Sequence, residues 1–442
     1  MTKKRKSQLK YRRPRTAKIN EPLLSEKPKY HIENEEEIRQ DILTAIKEKN
    51  IDQLRQIGKD HGFIHNNLRR KAWPLLLHCT LTNKITKRTS YKSKKHKDEE
   101  QVFLDIKRSF NTFPKNLDEK RKKVLQQELN QVIVQVLRNF PKLHYYQGFH
   151  DICAVFLLLF GQSNAIQLLS HVALFYLRDA MLDSLDPILK EIELLNTLYK
   201  LKDEKLYEHF QSMGILPYYC LSWIITWFSH DLEELEDIYR IFDLILSTHP
   251  MMPLYITASL VILNYKPEEI NDQDPSILHH YLCKLPYQSN LKWKPILQHA
   301  IQLYTTYPPF ELQQHANVGL SQVSSLNTYH QHYLFCSSII QDRTKSDTND
   351  DDAMMFLENK VEKWIEQASD ILIMSPLERD QSIDISVKHS NKLALLTSRT
   401  NGMPVWMMIG AVGLGTVAVI LSASQSPSQL LSRVLYIISI NQ

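Results

Sequence analysis

A chain of 442 residues is long enough to bury a sizeable core, and its 54 lysines and arginines against 49 acidic residues leave a formal charge of only +5. Much of that excess lies in Lys3, Lys4, Arg5, Lys6, Lys10, Arg12 and Arg13, so the remainder is close to neutral, and no basic stretch interleaved with aromatics speaks for nucleic acid. The five cysteines, Cys79, Cys153, Cys220, Cys283 and Cys336, are scattered without a C-x-x-C or a Cys/His cluster at zinc spacing, which excludes a disulfide framework and fits a reducing compartment.

Ten glycines in the whole chain, with apolar residues recurring at i, i+3, i+4 and i+7, predict an all-α protein. Residues 1–33 read as a basic disordered leader, whose charge suits acidic lipid, nucleic acid or nuclear import, or no partner at all. Residues 34–58 have polar helical spacing and are expected as one leading helix, and the folded domain is expected over 60–310. Within it, residues 84–100 are lysine-rich with almost nothing apolar, a surface loop feeding directly into a helix that carries Val102, Asp105 and Arg108. Residues 124–140 follow as an amphipathic helix with Leu125, Leu129, Val132, Ile133, Val136 and Leu137 on one stripe, stopped by Pro141.

Strongly apolar helices are expected at 151–160, 216–228, 238–248 and 254–263. Trp223 and Trp227, four apart, are expected to share a helical face as core packing. Residues 311–402 read as a helical extension and linker, with a polar, acidic stretch at 341–352 and renewed helical spacing at 353–373.

No charged residue falls between Arg399 and Arg433, and residues 403–423 supply the roughly 20 apolar positions that a helix needs to cross a bilayer. Gly410, Gly413 and Gly415 suit a membrane helix better than a soluble one. Lys388, Lys392 and Arg399 precede the span and only Arg433 follows it, so the positive-inside bias leaves the large N-terminal portion in the cytosol. With no N-terminal signal peptide, the expectation is a tail-anchored protein with a short tail at 424–442, of which 430–440 either lies at the far interface or continues a tilted helix.

Two side chains carry chemistry without a nucleophile or a metal. Arg108 can neutralise charge developing on a transferred phosphoryl group, and Gln147, in the segment His144-Tyr145-Tyr146-Gln147-Gly148-Phe149-His150-Asp151, can orient the attacking water. Together they could complete a GTPase active site from outside. Asp105, about one helical turn before Arg108, is placed to hold the arginine by a charge-assisted hydrogen bond.

At these residues the chain resembles the TBC-domain family of Rab GTPase-activating proteins, and within it the subgroup anchored in the endoplasmic reticulum by a C-terminal helix. Three blocks carry the resemblance: residues 67–76, with Arg69 and Trp73; residues 102–108; and residues 143–154. The family's I-x-x-D-x-x-R motif maps onto Val102, Asp105 and Arg108, and its Y-x-Q-G motif onto Tyr145, Gln147 and Gly148. Val102, Phe149 and His150 stand where isoleucine, methionine and asparagine are frequent, and the pair His150-Asp151 looks like the anchored subgroup. Leu221-Ser222-Trp223 and His249-Pro250-Met251-Met252-Pro253 extend the likeness downstream.

The resemblance implies a multi-helical TBC domain with a C-terminal transmembrane helix. It further implies a dual-finger activator in which Arg108 and Gln147 act in trans on a Rab in its GTP form, supported by Asp105, Tyr145 and Gly148. Arg69 and Trp73 would be scaffold more than chemistry, and His150 and Asp151 scaffold or Rab contact. No cofactor of its own is implied, since GTP and Mg²⁺ are carried by the Rab. The membrane would be that of the endoplasmic reticulum and the Rab one of the early secretory route. The rival reading is a catalytically silent TBC-like scaffold that binds a Rab at the membrane.

Overall fold

The computed structural model describes residues 34–79, 81, 94–115, 117–267, 274–288, 291–316 and 319–331, and Lys363 alone. The expected leader, the acidic stretch at 341–352, nearly all of the helix at 353–373, the membrane helix at 403–423 and the tail at 424–442 lie outside the described residues, as does Cys336. Every regular element among the described residues is helical.

The region expected as one leading helix forms two, α1 (Glu35–Glu48) and α2 (Ile51–Asp60). Lys49 turns into the left-handed region at φ 52°, and the Asn50 side chain accepts the Gln53 N–H at 3.0 Å, so an asparagine cap starts a new helix where a continuous one was expected. Neither helix is an appendage. Ile42, Ala45 and Leu54 are fully buried in the same core as the rest of the domain.

Next come α3 (Asn66–Leu76), α4 (Glu99–Ile106) and α5 (Glu119–Asn139). The lysine-rich interruption therefore gives way to helix within its expected range, because α4 starts at Glu99. Asp118 caps α5 by accepting the N–H groups of Lys120 and Arg121 at 3.0 Å, and the six apolar residues of the expected stripe are all buried.

α5 packs along α6 (Phe149–Phe175), which extends well past the expected residues 151–160. Gly161, at φ 70° and ψ 169°, breaks it into two helical pieces, a conformation that glycine adopts without a Cβ penalty. α7 (Asp186–Lys202) and α8 (Glu204–Ser212) complete the middle of the chain.

The expected helix over 216–228 is the clearest difference. The chain makes a 3₁₀ turn at Pro217–Cys220 and a short α9 (Leu221–Ile225), and then Trp227 and Phe228 enter the left-handed region at φ 51° and 64°. Local hydroxyl bonds favour this ending over a helix: Thr226 Oγ1 donates to the Ser222 carbonyl at 2.7 Å and Ser229 Oγ to the Thr226 carbonyl at 2.6 Å. Trp223 and Trp227 are both core residues, as expected, but they share no helical face. Trp223 stacks on Phe228, whereas Trp227 meets Phe242 and Tyr176 edge-on.

α10 (Leu235–Ser247) lies against α2 and α3, and α11 (Met252–Asn264) against α13 (Trp293–Thr306), with α12 (Pro275–Lys284) and α14 (Pro309–Ala316) closing the bundle. The core runs past residue 310, since Leu312, Leu326 and Tyr329 are buried in the same cluster.

Trp73 sits at its centre, fully buried against Phe156, Phe160, Tyr239 and Phe242. Its indole N–H donates to Asp243 Oδ1 at 2.7 Å, while Oδ2 of the same carboxylate accepts Arg69 Nε at 3.1 Å and the Phe63 N–H at 3.0 Å. Arg69 also reaches Glu236 at 3.2 Å. The Arg69–Trp73 block is thus a clamp that locks α3 to α10, with every polar atom it buries at Asp243 paired.

Candidate functional site

Arg108 lies two residues beyond the end of α4, in a turn instead of inside the expected helix, with 58% of its side chain exposed. Its guanidinium donates through Nη2 to Asp105 Oδ1. Asp105 itself is fully buried, and its other oxygen accepts the Tyr145 hydroxyl at 2.8 Å. Arg108, Asp105 and Tyr145 therefore form one continuous bond path: the carboxylate fixes the arginine and the tyrosine fixes the carboxylate.

Burial, reinforced by Asp105, holds the Tyr145 hydroxyl well above its ordinary pKa, so it keeps the one proton that it gives to Asp105. The Tyr145 oxygen must then accept from His150 Nδ1, 2.9 Å away, which assigns the His150 proton to Nδ1. His150 Nε2 faces Asp151 Oδ1 at 3.4 Å, and Asp151 Oδ2 takes His230 Nδ1 at 2.9 Å. Burial alone would raise the Asp151 carboxyl, but His150, His230 and Arg108 outweigh it and hold the pKa below the ordinary value. The bond to Asp151 pushes the His230 imidazole up to about 9.

Gln147 is presented between two anchored tyrosines. Tyr145 points to Asp105, Tyr146 gives its hydroxyl proton to the Ile225 carbonyl at 2.8 Å, and the Tyr145 N–H donates to Asp98 Oδ2 at 2.9 Å. Gln147 is left half-buried, with an amide oxygen that has no hydrogen-bond partner. Gly148, at φ 114°, starts α6 and lets the chain pass against the loop after α9, where a Cβ would stand 2.8 Å from Thr226 Cγ2. Both reasons demand glycine here.

The elements that carry the two side chains are tied to each other. Arg138 of α5 grips Glu99 at the start of α4 with two bonds of 2.7 and 2.8 Å. Gln126 of α5 donates to the carbonyls of Lys107 and Ser109 on either side of Arg108, at 3.3 and 3.2 Å. Beside the arginine, Phe103 and Leu104 of α4 stand more than half exposed, with Lys107 over the Phe103 ring at 4.5 Å.

The structure thus joins Asp105, Arg108, Tyr145, His150 and Asp151, with Gln147 and Gly148 on the same segment. Arg69 and Trp73 belong to the clamp on Asp243 and make none of these bonds. Sequence reasoning missed Asp98, Tyr146, Arg138 and His230. For His230 the one signal was a His-Asp pair directly after an apolar run; the other three carried no local signal.

A family model for the Rab-GTPase-TBC domain matches residues 66–271. GTPase-activating protein gyp10 of Schizosaccharomyces pombe is 34% identical over 262 residues, which cover 58% of this chain and 69% of that protein. This chain belongs to the TBC family. TBC1 domain family member 20 of Homo sapiens is 34% identical over 261 residues, 58% of this chain. The match spans 63% of that relative's length. The crystal structure of the Ypt/Rab-GAP domain of Gyp1p aligns with 60% of this chain and 98% of its own, at 17% identity and a TM-score of 0.46. The matched residues of this TBC domain contain every side chain of the bond path from Arg108 to His230.

Proposed function

We propose that this TBC domain accelerates GTP hydrolysis by a Rab, with Arg108 and Gln147 as fingers supplied in trans. The observation that carries the reading is the pair itself: an exposed guanidinium aimed by a buried carboxylate, and a half-buried amide whose oxygen, itself buried, makes no bond within the fold. Preorganised donors of this kind cost no reorganisation when charge develops on the phosphoryl oxygens. Arg108 would stabilise that charge through the N–H groups that Asp105 leaves free. Gln147, once its side chain turns Oε1 outward, would accept a hydrogen bond from the hydrolytic water and so direct its lone pair. GTP and Mg²⁺ belong to the Rab, and the domain brings no cofactor of its own.

We propose further that residues 403–423 anchor the chain in the endoplasmic reticulum with the domain in the cytosol, where it meets a lipidated Rab of the early secretory route. The uncharged run between Arg399 and Arg433 supports this.

The test is single-turnover hydrolysis by a panel of Rab·GTP species, with binding measured in parallel. At least one Rab is expected to be stimulated by roughly 10³-fold or more. A Rab that binds the domain and keeps its intrinsic rate throughout the panel would establish the silent scaffold instead.

A further inference from the structure

Asp151 stands on the first turn of α6, next to the segment that presents Gln147, and Arg108 is close enough to act on its charge. An unpartnered carboxylate at that position would repel the phosphate groups of an incoming nucleotide. It is not unpartnered. His230 reaches it from the loop after α9, the loop that Trp227 and Phe228 enter with left-handed backbones. Non-glycine residues in that region are strained, and such strain persists only where the surroundings over-determine it.

The surroundings here are packed on both sides. Trp227 and Phe228 are buried, and Ser222 Oγ holds the next residue's carboxylate, Asp231, at 3.0 Å, which also accepts the Tyr287 hydroxyl at 3.1 Å. The result is a histidine that is 46% exposed at its outer edge and bonded at its inner edge.

We propose that His230 is a positioning residue for both fingers: it clamps Asp151, and through His150 and Tyr145 fixes the carboxylate that aims Arg108 while holding the Gln147 segment against the loop after α9. This deepens the activator reading and rests on it for its catalytic consequence. The contacts themselves do not depend on that reading, since they lie entirely within this chain: one hydrogen bond joins His230 to Asp151, others run from His150 through Tyr145 and Asp105 to Arg108, and the two halves meet where the His150 ring lies against Asp151 at 3.4 Å.

The groups that face His230 are Asp151 from α6, Arg108 from the turn after α4, and its own neighbour Asp231, which Tyr287 approaches from the 3₁₀ turn after α12. Asp151 above all, with Asp231, raises its proton affinity, burial and Arg108 lower it, and the balance is upward. The charged ring is therefore the bound form. The charge-assisted part of the clamp is fully present below the ordinary value of 6.5 and is lost as pH rises through about 9.

The experiment compares the full-length wild type with His230→Ala and His230→Asn, because the asparagine amide can place a donor close to the position of Nδ1. Hydrogen exchange by mass spectrometry reads order in the isolated protein, over the peptides that contain residues 99–110 and 145–151. Single-turnover and steady-state hydrolysis by a stimulated Rab read its consequence. His230→Ala should speed exchange in both peptides and lower kcat by about 10- to 100-fold with KM unchanged, as expected for misplaced reacting groups. His230→Asn, a neutral donor, should restore part of both. Stimulation by the wild type should fall toward the level of the asparagine variant as pH passes about 9, and the asparagine variant should lack that limb.

Wild-type exchange in His230→Ala overturns the inference, as does faster exchange with an unchanged kcat, or a loss that asparagine does not repair. If the wild type stimulates no Rab at all, the activator reading falls, and the exchange of the alanine and asparagine variants decides the clamp by itself.

Discussion

Asp105 is the residue on which the site turns, because it is fully buried and accepts from Arg108, Tyr145 and, at 3.5 Å, Gln101. Removing one partner of a buried hydrogen bond costs more than the bond contributes, since the other group is left unsatisfied. Tyr145→Phe should therefore lower unfolding stability by about 1–3 kcal/mol in urea titration, and should reduce stimulated hydrolysis by more than the stability loss explains. A variant with wild-type stability and rate would show that the hydroxyl is idle. The Asp105–Arg108 spacing was readable from sequence because a helix puts i and i+3 side by side. Asp98 and His230 were not, because their partners lie 47 and 79 positions away and only the folded chain brings them together.

Elements were legible where one face differed from the other. The apolar stripe of α5 stood out against its charged side, and the structure buries all six of its residues. The stretch at 216–228 offered no such contrast. It is apolar all round, and the decision fell to two hydroxyls, of Thr226 and Ser229, that bond back to main-chain carbonyls where α9 ends at Ile225. The leading helix misled for a similar reason, since a lysine able to go left-handed and an asparagine able to cap carry no periodic signal.

At this scale the start of α6 makes a sharp prediction. Gly148→Ala must strain a left-handed position and push against Thr226, so it should lower stability by about 1–2 kcal/mol for the backbone alone. It should also displace Gln147 enough to reduce the stimulated rate. Unchanged melting and an unchanged rate would mean that the contact with the loop after α9 is loose.

The whole molecule is held by a core in which aromatic packing and one buried charge cluster meet at Trp73 and Asp243. Trp73→Ala removes a ring that touches four others and should cost about 3–5 kcal/mol, measured by chemical denaturation. Asp243→Ala should cost a similar amount, about 3–5 kcal/mol, because it leaves the Arg69 guanidinium buried with only Glu236 as a counter-charge. Neither residue touches the Arg108 path, so at temperatures where the variants remain folded their stimulated rates should match the wild type.

Two long apolar runs stand in this chain. α6 is long and apolar enough to cross a membrane by composition, yet it is a core helix, with His150 and Asp151 built into the site at its first turn. The run at 403–423 lies outside the described residues and is uncharged on both sides of its centre. Alkaline carbonate extraction of native membranes should leave the protein in the pellet, and release into the supernatant would remove the anchor.

The most direct test of the fingers is single-turnover GTP hydrolysis by a stimulated Rab, with Arg108→Ala and Gln147→Ala each shown to be folded by circular dichroism. Arg108 is more than half exposed and Asp105 keeps its Tyr145 bond without it, while Gln147 Oε1 makes no bond within the fold, so Arg108→Ala should lose some stability and neither change should unfold the domain. Arginine fingers contribute on the order of 10³ to 10⁵ in rate, and the account predicts that each variant loses most of the stimulation while Rab binding persists. Full stimulation by either variant would contradict it.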